Sequence, residues 1–128
     1  MSFLKGILLV DDDKTTNFYN RFVIESNKLA ENVYEALTAQ EALDFLIHNK
    51  GRIDLILLDL NMPMLNGFEF IDRFRSQGFN SDKIKIFMLT SSNHKLDMDM
   101  IKEYGVSEYY EKPLDGGKLL KAIEKGAA

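Results

Sequence analysis

Acids, a hydroxyl and a lysine follow the apolar runs of this chain in an order that could do chemistry. Ile7-Leu8-Leu9-Val10 leads into Asp11-Asp12-Asp13, the run Ile53 to Leu58 into Asp59, and Ile84 to Leu89 into Thr90-Ser91-Ser92. A weaker run, Ser107-Glu108-Tyr109-Tyr110, leads into Lys112-Pro113. If these runs are neighbouring strands, their polar ends meet at one edge of a sheet. Carboxylates brought that close repel by about 3 to 4 kcal/mol per pair at an effective dielectric of about 20. Either one stays protonated or a cation sits among them. With no cysteine and no suitably spaced histidine, the ligands would all be oxygen, which selects a hard ion that works with phosphate: Mg2+, with Mn2+ able to substitute. A carboxylate beside a cation, a lysine and a hydroxyl suits the charge that develops on a transferring phosphoryl group, and an aspartate can itself be the nucleophile. Asp59 is the best placed, because Ile56-Leu57-Leu58 hold it at the end of a stiff central strand. Taken singly, Asp11, Asp12 and Asp59 read as helix caps or turn formers, Thr90 as a turn residue and Lys112 as a solvated cation. Their joint order carries the argument.

The elements that must position these residues alternate. Five short apolar runs, the four above and Val33-Tyr34-Glu35-Ala36, are separated by longer amphipathic segments, the pattern of βα units and a parallel sheet covered on both faces. Thr38-Ala39-Gln40-Glu41 predicts a capping box at the start of a helix, whose inward face is Ala42, Leu43, Phe45 and Leu46. The spacing predicts inward faces of Phe18, Phe22 and Val23 on the first helix, Phe70, Ile71 and Phe74 on the third, and Leu119, Leu120 and Ile123 on the last. A helix near Leu96 to Tyr104 is less regular, since Met98 and Met100 are off ideal helical spacing. In open parallel sheets ligands sit beyond the carboxyl ends of the strands, which is where the acids, Thr90 and Lys112 fall.

Composition narrows the classes. The 128 residues suit one domain, and 45% apolar with 28% charged residues is ordinary for a globular protein. A net charge of -4 without a dense Lys/Arg run argues against nucleic-acid binding. No apolar run approaches the ~20 residues of a membrane span, and the start lacks a leader pattern. A cytoplasmic protein with no separate output domain is expected. After the first strand there is neither G-x-G-x-x-G nor G-x-x-x-x-G-K-[ST], so nucleotide binding is not indicated. His48 and His94 are isolated, and Asp97-Met98-Asp99 reads as a solvated helix face.

Over residues 4–125 the sequence resembles the receiver domains of bacterial two-component response regulators. The matching pieces are Leu8-Leu9-Val10-Asp11-Asp12, Leu57-Leu58-Asp59-Leu60-Asn61-Met62-Pro63 with Asn66-Gly67, Met88-Leu89-Thr90 and Lys112-Pro113-Leu114. The resemblance implies a three-layer α/β fold, with five parallel strands in the order 2-1-3-4-5 and five helices. It implies that Asp59 accepts a phosphoryl group from a sensor histidine kinase or histidine phosphotransfer protein. Asp11, Asp12 and Asp59 would hold Mg2+ with the backbone carbonyl of Asn61, and Lys112 would pair with the acyl phosphate. The Thr90 hydroxyl would bond a phosphoryl oxygen, Tyr109 would change rotamer as Thr90 moves, and Lys112-Pro113 would be cis. The output would be contact with a downstream protein by a monomer, with dimerisation on phosphorylation left open. Such a domain is not an enzyme for other substrates; it assists only its own phosphorylation and dephosphorylation.

Two rival readings remain. Asp11-Asp12-Asp13-Lys14-Thr15 satisfies the Asp-x-Asp-x-Thr motif of haloacid-dehalogenase-type phosphatases, which would make Asp11 the nucleophile and Asp13 the general acid. That scheme leaves Asp59 idle and lacks a further acidic pair after Lys112. The other rival is a receiver-like interaction module that is not phosphorylated, against which the intact set Asp11, Asp12, Asp59, Thr90 and Lys112 argues.

Overall fold

The computed structural model describes residues 4–91 and 95–126. Ser92 and His94 lie outside the described residues, as does the side chain of Asp97. Strands and helices alternate: β1 (Leu4–Val10), α1 (Lys14–Ser26), β2 (Ala30–Ala36), α2 (Ala39–His48), β3 (Leu55–Leu58), α3 (Gly67–Ser76), β4 (Lys85–Thr90), α4 (Lys95–Glu103), β5 (Glu108–Glu111) and α5 (Gly116–Glu124). All pairings are parallel, in the order β2-β1-β3-β4-β5. This is the receiver architecture.

The nearly continuous apolar character of β1, β3 and β4 follows from burial on both faces. Successive side chains point to opposite sides of a strand, so each run is shared between two cores. Leu8, Val10, Ile56, Leu58, Ile86 and Met88 pack in one cluster with residues of α2, α3 and α4. Ile7, Leu9, Leu55, Leu57, Phe87 and Leu89 pack in the other with residues of α1 and α5. At roughly 1.5 to 3 kcal/mol for each buried Leu, Ile or Phe, these strands anchor the fold. Among the described residues no helix is long and apolar enough to cross a membrane.

Local expectations hold on most helices. The Thr38 hydroxyl accepts the Glu41 N–H at 3.0 Å, but the reciprocal half of a capping box forms at α3 instead, between Asn66 and Glu69. Ala42, Leu43 and Leu46 of α2, Phe70, Ile71 and Phe74 of α3, and Leu119 and Ile123 of α5 are buried. The first helix differs. Phe18 and Phe22 are 62% and 59% exposed, while Asn17, Asn20 and Ile24 face the sheet. Asp13 caps α1 by accepting from Thr15 and Thr16 N–H, which sets the rotational phase of the helix and turns the asparagines inward.

Strand ends also shift. β1 and β2 start earlier than their apolar runs, because Leu4 pairs with Ala30 and the register continues through polar Asn32. β3 starts later, since Asp54 uses its N–H on the Gly6 carbonyl and its carboxylate on the Lys5 and Gly6 N–H groups. At Gly6 the chains approach so closely that a Cβ would lie 2.2 Å from the Arg52 carbonyl oxygen. Backbone cannot yield as a flexible side chain would. Gly6→Ala is therefore expected to destabilise the protein by about 2 to 3 kcal/mol, read as a lowered urea midpoint; an unchanged midpoint would contradict this packing.

Candidate functional site

Register delivers the polar residues to one edge. Val10 pairs with Leu58, and the Asp59 N–H donates to the Val10 carbonyl at 2.9 Å, so the residues after β1 and β3 lie side by side. Thr90 pairs with Glu111, and the Lys112 N–H donates to the Thr90 carbonyl at 2.9 Å. Carboxylate oxygens of Asp11, Asp12 and Asp59 lie within 4.8 Å of one another. Asp11 and Asp59 are buried, Asp12 is exposed and Thr90 is fully buried. The Lys112 ammonium reaches Asp11 Oδ2 at 2.6 Å and Asp59 Oδ1 at 3.4 Å, and the Lys112–Pro113 peptide is cis. Tyr109 sits opposite Met88 on the same pair of strands, packed against the α2–α3–α4 core.

The turn after β1 is held from several sides. Asp11 Oδ1 accepts the Asp13 N–H at 2.9 Å, leaving Oδ2 for Lys112. Asp13 is committed to capping α1, and those backbone bonds hold its pKa below the usual value. It stands outside the three-carboxylate cluster. Gly67 opens α3 where a Cβ would stand 3.0 Å from the Asp59 carbonyl oxygen. A side chain there would press on the Asp59 and Leu60 backbone, so glycine eases the start of this helix close to the end of β3.

Burial, and after it the Asp11 carboxylate, raises the Asp59 pKa to about 6, against the pull of Lys112 and the Asn61 N–H. Burial also works against the Lys112 ammonium, but the Asp11 hydrogen bond and the two carboxylates together raise its pKa above the ordinary value. When ionised, three carboxylates and one ammonium leave an excess of two negative charges. An all-oxygen donor set with that excess fits a divalent hard cation. Asp11, Asp12 and Asp59 are the residues that could hold it.

Asn17 is a member of this neighbourhood that no sequence pattern marked. Its side-chain amide donates to the Asp11 carbonyl at 3.0 Å and to the Ala36 carbonyl at 3.4 Å. Its Oδ1 is buried with no hydrogen-bond partner among the described residues, a situation that ordinarily costs about 1 to 3 kcal/mol. An asparagine one turn into a helix looks like a solvated residue until the helix phase is known.

Comparison with known proteins agrees with this geometry. The chain matches the response regulator receiver domain over residues 7–124, and it belongs to that family, whose members are phosphorylated by histidine kinases in two-component signalling and are generally not true enzymes. Two-component response regulator 24 of Arabidopsis thaliana is 32% identical over 120 residues, covering 92% of this chain and 81% of the relative. The transcriptional regulatory protein CpxR of Escherichia coli strain K12 is also 32% identical over 120 residues, covering 94% of this chain but 48% of the relative. The chain thus spans about half the length of that regulator. The chemotaxis protein CheY4 of Vibrio cholerae superposes with a TM-score of 0.80 at 28% identity, covering 95% of this chain and 98% of the other. The acidic cluster Asp11, Asp12 and Asp59 is of the kind a phosphoacceptor site has.

A raised carboxyl pKa has a definite sign in stability. Between the unfolded value near 3.8 and about 6 the folded state binds more protons, so stability falls as pH rises through that window, and the deficit is complete above it. At 1.36 kcal/mol per unit, Asp59→Asn is expected to be more stable than the wild type by about 1 to 3 kcal/mol at pH 7.5 in metal-free buffer. Below about pH 4 the two should converge. Urea denaturation across pH checks this, and a less stable variant at neutral pH would refute the buried-charge account.

Proposed function

We propose that Asp59 is the phosphoacceptor of a Mg2+-dependent phosphorelay switch, taking its phosphoryl group from a phosphohistidine of a sensor kinase or phosphotransfer protein. The observation that carries this reading is the buried Asp59 carboxylate beside Asp11, with the Lys112 ammonium 3.4 Å away at the carboxyl edge of the sheet. An Asp59 oxygen attacks phosphorus, a P–O bond forms and the P–N bond to the donor imidazole breaks, the electron pair leaving on the ring nitrogen. Asp11, Asp12, Asp59 and the Asn61 carbonyl would hold a divalent cation, Mg2+ with Mn2+ able to replace it, which when bound would supply neutralisation of the charge on the phosphoryl oxygens.

Lys112 then moves its attraction from two carboxylates to the acyl phosphate. The Thr90 hydroxyl bonds a phosphoryl oxygen, which draws Thr90 toward Asp59 and opens space that the Tyr109 ring fills. The acyl phosphate carries close to two negative charges where the carboxylate carried one, and this added charge thereby becomes a change of surface around β5 and the last helices, read by a downstream protein.

Intact-mass measurement after incubation with acetyl phosphate and Mg2+ tests the acceptor. The wild type should gain one phosphoryl group, and Asp59→Ala and metal-free wild type should gain none. Label that persists on Asp59→Ala but disappears from Asp11→Asn would transfer the role to Asp11 and the phosphatase chemistry. Thr90→Ala should still be labelled while losing most of the amide NMR shift changes around Tyr109; an unaltered set of shift changes would remove Thr90 from the switch.

A further inference from the structure

We infer that Asn17 is a positioning residue for the cation site, acting through the backbone of Asp11. The inference rests on the cation site proposed above. Three chain segments meet at this amide: the end of β1 through the Asp11 carbonyl, the end of β2 through the Ala36 carbonyl, and the first turn of α1, which carries Asn17 itself. Asp11 N–H also donates to the Ala36 carbonyl, at 3.1 Å. The peptide on either side of the Asp11 side chain is therefore tied down.

The consequence falls on the two carboxylates that follow β1. Asp11 Oδ2 is directed at Lys112 and Oδ1 at the Asp13 N–H, leaving little freedom in the side chain once the backbone is held. Asp12 is exposed, and its place near Asp11 and Asp59 depends on the turn that carries it. A group that fixes the orientation of a ligand residue typically changes metal affinity by about 10- to 100-fold when removed.

Burial adds the second line of support. Asn17 is fully buried, its donors satisfied by two strand-end carbonyls and its Oδ1 without a partner among the described residues. A leucine would fill similar space without that stranded oxygen, so packing alone does not account for an asparagine here. Asn20, one turn further along the same buried face, has no hydrogen bond to the acid turn among the described residues and serves as the control.

The test is Mg2+ titration of the folded protein followed by amide NMR, with urea unfolding in EDTA run in parallel. Asn17→Leu should weaken the Mg2+ Kd about tenfold or more, with Asp12 and Asp13 amide shifts moved before metal is added, and its EDTA unfolding midpoint need not fall. Asn20→Leu should leave the Kd unchanged. A Kd for Asn17→Leu within threefold of wild type, or an equal loss in Asn20→Leu, overturns the positioning role. In the wild type, the Asn17 side-chain amide protons should shift with the same Kd as the Asp12 amide; protons that ignore Mg2+ overturn the role without any variant. A wild type that binds no Mg2+ sinks the cation site itself, which is a different failure from Mg2+ binding that is indifferent to Asn17.

Discussion

Two buried carboxylates, Asp11 and Asp59, face each other at the end of the sheet, and their mutual repulsion is the constraint on which the surrounding structure depends. Neither can retreat, since each follows directly on a central strand whose side chains are locked into the two cores. Lys112 relieves part of the repulsion by bonding Asp11 and approaching Asp59. The remaining excess of negative charge is what makes the site fit a divalent cation.

Keeping such a site in place requires concessions in the neighbouring elements. Gly67 surrenders a side chain so that α3 can begin against the Asp59 backbone. Asp13 is spent on the α1 cap, and α1 turns two asparagines toward the sheet while leaving Phe18 and Phe22 in solvent. A helix chosen only for burial would present its aromatics inward. Breaking the local hydrophobic rule beside a functional site is a common pattern in folded proteins.

The strand pair that supplies Lys112 connects the site to a different surface. β4 ends at Thr90 and β5 carries Tyr109 opposite Met88, so the hydroxyl and the ring share one pair of paired strands. Tyr109 joins the same core cluster as Phe68 and Tyr104, whose rings lie 5.0 Å apart. Tyr104 is in turn bonded through its hydroxyl to Asp72 and through its carbonyl to Arg75, tying the end of α4 to α3. Any movement near Thr90 would meet a continuous packed face rather than an isolated loop.

Much of this was legible in the amino-acid order. The continuous apolar runs record burial on both faces, so they alone specify a parallel sheet with helical layers, and the acids and lysine at their ends specify where a polar site must lie. Asp59 could be singled out because Ile56, Leu57 and Leu58 precede it without interruption. What burial patterns do not record is which distant groups satisfy a polar atom. The phase of α1 was set by the Asp13 cap and by the carbonyls of Asp11 and Ala36 waiting for the Asn17 amide, and the early starts of β1 and β2 by backbone pairing through residues with no apolar signal. The raised pKa of Asp59 likewise exists only once folding buries its carboxylate and sets Asp11 beside it, against the opposing pull of Lys112. Hydrophobic periodicity is a property of a local segment, whereas charge coupling and backbone hydrogen bonding belong to the folded arrangement, and that is why the first could be read along the chain and the second had to be seen in three dimensions.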